Sequence, residues 1–179
     1  MNRNNNYEPL QKSPLGDLGV FLANSSEFAE ILEIQKKAFF SEAEFYQNFN
    51  IQPLIQTLGE MEEECKEKVV LKAVIEGKIV GSIRANAHEN GCWVNKLVVL
   101  PEFQRQGIGE KLLLEIEKYF PDAMKFTLAT GALSKSNIRL YEKAGYKIIG
   151  YETFRDGVEA VMMGKTPCPL KGDQIPLIP

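Results

Sequence analysis

Cysteine and histidine are scarce in this chain of 179 residues. It has three cysteines, Cys65, Cys92 and Cys168, and a single histidine, His88. The cysteines are odd in number and widely spaced, so they form neither a disulfide framework nor a zinc-binding pattern. His88 belongs to the sequence His-Glu-Asn-Gly, which is typical of a turn, and we interpret it as a turn residue rather than a catalyst. We therefore expect no metal site.

Long apolar runs and an excess of positive charge are also missing. No apolar run approaches the roughly 20 residues that cross a bilayer, and residues 1–7 lack the apolar core of a signal peptide. The net charge of −3 argues against a general nucleic-acid binder, which presents a basic face. We expect a cytoplasmic protein whose partners are neither membranes nor nucleic acids.

The most informative stretch runs from Leu97 to Gly109. An apolar run ends at Pro101, a basic loop follows with glycines at 107 and 109, and an amphipathic helix begins at once. The first amides of a helix have no partner inside it and carry the positive end of its dipole. Glycines there let a ligand approach the backbone, so this helix start suits a phosphate or pyrophosphate, to which Arg105 can add a charged contact.

Turn residues and apolar periodicity divide the rest of the chain. Residues 1–17 are polar and interrupted by prolines, so we expect a disordered leader before a single domain at 18–165 and a proline-containing tail at 166–179. Asn90-Gly91 indicates a tight hairpin turn. The predicted strands are 20–22, 69–75, 79–87, 92–100, 125–130, 146–154 and 158–165. The predicted helices run from a cap at Asn24 or Ser25 to about Phe39, over 54–66, over 110–120, and from a cap at Ser134 or Ser136 to Ala144.

Residues 39–66 carry no motif. The segment 39–57 is aromatic and irregular in period, and an acidic run at 60–64 follows it. We interpret the acidic run as a solvated helix face, and alternatively as a surface that attracts a cationic substrate.

Two motifs in this chain resemble those of one enzyme family. Gln104-Arg-Gln-Gly-Ile-Gly109 resembles the acyl-CoA pyrophosphate loop of the GCN5-related N-acetyltransferase (GNAT) superfamily. About 30 residues later, Leu140-Tyr-Glu-Lys-Ala-Gly-Tyr146 is similar to the closing motif of the same enzymes. The resemblance implies a GNAT-like α+β (mixed α/β) fold. In that fold a mostly antiparallel sheet of six to seven strands has one parallel pair, at 92–100 and 125–130, and is flanked by helices.

The resemblance also implies a site for acetyl-CoA. The backbone of 97–99 would pair with the pantetheine arm, and the amides of 105–110 would hold the pyrophosphate. The family's asparagine lies seven residues before the tyrosine, where this chain has Ser134, while an asparagine appears at 137, so either residue is a candidate. The implied cofactor-binding residues are Leu97, Val98, Val99, Gln104, Arg105, Gln106, Gly107, Ile108, Gly109, Glu110, Ser134 and Asn137.

Acetyl transfer to a primary amine would proceed by direct attack on the thioester in a ternary complex. The departing thiolate benefits from a proton donor, and Tyr141 is the candidate for that catalytic role. No general base is evident, because the glutamate that many relatives carry near the end of strand 125–130 is replaced by Ala129. Glu42, Glu44, His88 and Glu89 are conceivable proton acceptors, but we interpret each of them as structural.

The sequence leaves two alternatives open. The chain could be a non-catalytic acyl-CoA sensor or interaction module, or an acetyltransferase for a protein amino terminus or lysine. The acceptor, a small-molecule or peptide amine, would be shaped by residues 39–57 and by the turn at 154–158. A homodimer is compatible with the sequence.

Overall fold

The computed structural model describes residues 17–89 and 91–167. The described part contains one seven-stranded sheet in the order β1-β2-β3-β4-β5-β7-β6. Neighbouring strands are antiparallel except β4 and β5, which are parallel. This confirms the predicted fold class. The strands are β1 Gly19–Leu22, β2 Val69–Ile75, β3 Lys78–His88, β4 Gly91–Val99, β5 Phe126–Gly131, β6 Lys147–Thr153 and β7 Glu159–Lys165.

Five α-helices flank this sheet in the described residues. They are α1 Phe28–Tyr46, α2 Gln52–Ile55, α3 Leu58–Cys65, α4 Ile108–Glu117 and α5 Lys135–Lys143. Alternation along the strands gives the sheet two apolar faces. Leu71 and Ala73 pack with α4 on one face, while Val70 packs with α1 and α3 on the other. None of the described helices is long and apolar enough to cross a membrane.

The start of α1 agrees with the sequence prediction, but its end does not. A short 3₁₀ turn over Ser25–Glu27 leads into the helix, and Asn24 caps that turn together with Glu27. The helix then continues seven residues beyond the predicted end at Phe39, to Tyr46. The apolar period fails there because Phe40 and Phe45 face solvent, although the backbone remains helical.

The helix predicted at 54–66 is two helices. Thr57 interrupts it, because its extended backbone caps α3 and its amide donates to Glu60 Oε2 at 2.7 Å. Asn90, most of the predicted leader and the tail from residue 168 lie outside the described residues.

Candidate active site

The two parallel strands at the centre of the sheet separate soon after they meet. They pair at only two positions, Cys92 with Phe126 and Trp93 with Thr127. Beyond these pairs β5 stays bonded to β7 along its whole length. The edge of β4 from 94 to 99 therefore faces a cavity of about 1050 Å³ instead of a neighbouring strand.

A bulge in β4 lies just beyond the point of separation and maintains it. Lys96 has a left-handed backbone with φ of 49°. The register against β3 shifts there, because Ser82 pairs with Val98 whereas Arg84 pairs with Asn95. A bulge bends its strand and increases the local twist, so Lys96 bends β4 further from β5, three residues beyond their last pair at Trp93.

The start of α4 lies at the mouth of the same cavity. The first bond inside the helix runs from the Lys111 amide to the Gly107 carbonyl oxygen at 3.0 Å, so the amides of 108–110 precede the helical ladder. Gly107 has φ of 85°, a conformation that favours glycine. A Cβ on Gly109 would lie 3.2 Å from Leu140 Cδ2, so this glycine also lets α4 and α5 pack closely.

The structure brings most of the predicted site residues together. Two of them lie outside the cavity lining: Gln106, whose Nε2 donates to the Glu102 carbonyl oxygen at 3.3 Å, and Ser134, whose hydroxyl group donates to Glu42. The predicted residues that line the cavity are Leu97, Val98, Val99, Gln104, Arg105, Gly107, Ile108, Gly109, Glu110, Asn137 and Tyr141.

Tyr141 contributes a buried phenol to the cavity wall. Its side chain is 8% exposed and packs against Tyr146 with ring centroids 6.2 Å apart. Burial raises the pKa of Tyr141 well above its ordinary value, and the charge of Glu42 raises it further. The phenol therefore keeps its proton at neutral pH and can donate it.

A second polar group faces Tyr141 from the end of α1. Glu42 lines the cavity there, and burial raises the pKa of its carboxyl group, while the hydrogen bond from Ser134 lowers it in part. One turn later, Tyr46 Oη accepts a bond from the Leu133 amide at 3.0 Å. A Cβ on Gly131 would lie 2.3 Å from that oxygen, so a larger residue at 131 would displace the Tyr46 side chain.

A buried arginine holds α1 and the α2–α3 segment over the cavity. Arg84 is 1% exposed, and its guanidinium donates to Gln35 Oε1 at 2.8 Å and to Glu64 Oε2 at 3.4 Å. Gln35 Nε2 in turn donates to the Pro53 carbonyl oxygen at 2.8 Å and to Gln56 Oε1 at 2.9 Å. We did not predict this network from the sequence. Its only local signal is a charged residue inside an apolar strand, which implies a buried partner.

The acidic run at 60–64 contributes one residue to the cavity. Of its glutamates only Glu64 is in the lining, and Lys68 Nζ donates to it at 2.8 Å. Burial opposes ionisation, but Lys68 and Arg84 hold the pKa of Glu64 below its usual value. This carboxylate is therefore already neutralised and is a poor attractant for a cationic substrate.

A mostly antiparallel sheet that opens between its two parallel strands, with a glycine-bearing helix start at the opening, is the fold of GNAT acetyltransferases. Residues 33–167 match the family model described as acetyltransferase (GNAT) domain. The chain therefore belongs to the GNAT family.

Solved structures and one curated protein extend this comparison. The fold is similar to that of smu.2055 from Streptococcus mutans UA159, with a TM-score of 0.71, 17% identity and coverage of 83% of this chain and 98% of that one. PaiA N-acetyltransferase from Thermoplasma acidophilum, solved with coenzyme A, has a TM-score of 0.67 and 17% identity, and the match covers 84% of this chain and 99% of that one. The ribosomal-protein-S18-alanine N-acetyltransferase of Escherichia coli has a TM-score of 0.66 and 18% identity, and the match covers 83% of this chain and 93% of that one. In sequence, the chain is 33% identical over 86 residues to uncharacterized protein YrkN of Bacillus subtilis, a match that spans 46% of each protein.

Proposed function

We propose that this protein transfers an acetyl group from acetyl-CoA to a primary amine. The observation that carries the proposal is that three groups line one cavity: the unpaired edge of β4, the first amides of α4, and Tyr141. The edge of β4 suits the amides of the pantetheine arm, and the helix amides suit the pyrophosphate. Tyr141 suits the thiolate that leaves. PaiA was solved with coenzyme A, which supports an acyl-CoA as the donor here.

The donor would lie along β4. The N–H and C=O groups of 97–99 that point away from β3 can bond the amides of the pantetheine arm as an additional strand would, and the Val99 carbonyl oxygen among them already accepts from Gln104 Nε2 at 3.0 Å. The amides of 108–110, with the positive end of the α4 dipole, suit the pyrophosphate, and Arg105 can add charge. Asn137 is the better candidate for a further contact, since the Ser134 hydroxyl group is already bonded to Glu42.

The protein would orient the amine and the thioester and donate a proton to the leaving thiolate. An alkyl ammonium has a pKa near 10, so the amine must lose a proton before it attacks the thioester carbon. Once the C–N bond forms and the C–S bond breaks, the thiolate leaves with a pKa of about 8.5. The protonated phenol of Tyr141 would donate to that sulfur. Relatives named for acetylating a ribosomal protein alanine and spermidine act on amines, which supports an amine acceptor.

Release of the CoA thiol from acetyl-CoA, measured against a panel of primary amines, tests the proposal. We expect amine-dependent release that exceeds the hydrolysis of acetyl-CoA in buffer. Acetyl-CoA binding without release for any amine would favour a non-catalytic module. The cytoplasmic location, the domain limits at 18–165 and the homodimer stay predictions from the sequence.

A further inference from the structure

Lys96 places a cation in the cavity on the side away from α4. Its side chain is half-buried, its Nζ donates to Gln52 Oε1, and it lies 5.9 Å from the centroid of the Phe39 ring. An ammonium has three N–H donors, so the bond to Gln52 leaves two of them for a ligand.

The charges around Lys96 leave this end of the cavity net positive. Glu64 and Asp156 attract the ammonium, and Arg84 and Lys68 repel it, so three cations face two carboxylates. Glu64 is already bonded to Lys68 and Arg84. Among the described residues, no carboxylate lies within 4.0 Å of Lys96 Nζ.

Burial of this cation has a cost that its neighbours in the protein offset only in part. Removal of water lowers the pKa of Lys96 to about 8, and the repulsion from Arg84 and Lys68 acts in the same direction. Buried charges in proteins are normally paired. An anion that enters this end of the cavity would therefore gain a strong, charge-assisted bond.

The neighbours of Lys96 belong to the acceptor side of the cavity. Gln52 and Phe39 lie on α2 and α1, and Asp156 lies in the turn between β6 and β7, whereas the loop that suits the pyrophosphate leads into α4. Tyr141 lines the same cavity, and Glu42 acts on Tyr141 but is not among the charged groups that act on Lys96. An acceptor that is bound at Lys96 through a carboxylate can extend through the cavity and present its amine at Tyr141.

We propose that the acceptor is an amine that also carries a carboxylate, as an amino acid does, with its carboxylate bound by Lys96 and Gln52 and its amine presented towards Tyr141. This inference rests on the proposed function and names the substrate class for the same site. It gives the β4 bulge a second role, because the residue that opens the strand edge also holds the acceptor.

Product binding tests the inference without relying on turnover. The probes are N-acetyl-L-amino acids and their matching primary amides, titrated calorimetrically into the protein saturated with CoA. In at least one pair, the acid should bind roughly ten to a hundred times more tightly than its amide, because a hydrogen bond to a charged group contributes a free energy in that range. Lys96→Met should remove that preference and Lys96→Arg should keep it. Lys66→Met, at a largely exposed lysine, is the matched control and should change nothing.

The pH dependence gives a second readout of the same contact. The probe carboxylate is ionised throughout roughly pH 7 to pH 10, so affinity should fall above about pH 8 as free Lys96 loses its charge, by up to about tenfold per pH unit. Lys96→Arg should flatten the profile. That variant retains the other charged groups facing this position, which are Glu64, Lys68, Arg84 and Asp156.

The outcomes separate this inference from the proposed function. Three results would each overturn the inference. They are equal binding of acid and amide in every pair, an acid preference that survives in Lys96→Met, and no binding of any acid. Amines acetylated without any preference for a carboxylate would overturn it and leave the transferase standing. A loss of kcat in Lys96→Met that is equal for amino acids and their amides would indicate that Lys96 serves the proton transfer instead. Acid binding without acetylation of any amine would refute the transferase and, with it, the assignment of an acceptor, and would leave only a carboxylate-binding site at Lys96.

Discussion

Replacement of Tyr141 by phenylalanine should slow acetyl transfer by about a hundredfold. A positioned general acid contributes roughly 10²- to 10⁴-fold. We expect the lower end, because a thiolate leaves more readily than the more basic groups that define the upper end. A hundredfold loss corresponds to about 2.7 kcal/mol in the activation free energy. Release of CoA thiol at saturating acetyl-CoA and amine measures kcat directly.

The substitution isolates the hydroxyl group. Phenylalanine keeps the ring that packs against Tyr146, and no acceptor for the Tyr141 hydroxyl group is found within residues 17–89 and 91–167. The free energy of unfolding should therefore change by less than about 1 kcal/mol, and the affinity for acetyl-CoA should stay the same.

Tyr146→Phe is the matched control. Tyr146 is 1% exposed and donates to Glu117 Oε1 at 3.0 Å, outside the cavity lining. Loss of this bond to a carboxylate should reduce the free energy of unfolding by about 1.5–3 kcal/mol and leave kcat unchanged. Unchanged turnover in Tyr141→Phe would remove Tyr141 from the mechanism. An equal loss of kcat in both variants would show that the effect comes from packing.

Three further substitutions test other parts of the structure. Gly109→Leu should weaken the binding of acetyl-CoA, measured by calorimetry, by at least roughly tenfold, because the leucine side chain would occupy the start of α4 and crowd Leu140. An unchanged affinity would refute the assignment of the pyrophosphate to this helix start. Arg84→Ala should lower the free energy of unfolding in urea by about 3–5 kcal/mol, since it leaves Glu64 and two glutamines without their buried partner. Burial raises the pKa of Glu42 in the folded protein above its value in the unfolded chain. In the pH window between these two pKa values, the folded protein binds a proton at Glu42 that the unfolded chain has lost, so the free energy of unfolding falls as pH rises through the window. Glu42→Gln should therefore be more stable than wild type above the window and equal to it below, with a difference that grows by at most about 1.4 kcal/mol per pH unit; urea titrations from about pH 4 to about pH 8 would detect it.

The elements that the sequence predicts well are those with local causes. The predicted strand bounds agree with the structure to within one or two residues, because alternation and turn residues act over a few positions. The end of α1 is wrong because exposed aromatic side chains there disrupt the apolar pattern without breaking the helix. The break at Thr57 is missed because its cap depends on the orientation of one side chain.

The candidate site divides in the same way. The α4 loop and Tyr141 belong to contiguous motifs, so the sequence alone indicates them. The partners of Arg84 lie up to 49 residues away along the chain, and no local pattern connects them. Lys96 carries no motif either, and its significance depends on which charges the fold places near it.

One residue accounts for both the donor side and the acceptor side of the cavity. A left-handed backbone at a residue other than glycine costs about 1 kcal/mol or more, and Lys96 adopts it in the middle of a central strand. The bend keeps the β4 edge apart from β5, and it directs the Lys96 ammonium towards α1 and α2. The strain is thus located three residues beyond the last pair of β4 with its parallel neighbour, at Trp93. If it were relieved by continued pairing with β5, both the open edge and the position of the cation would be lost.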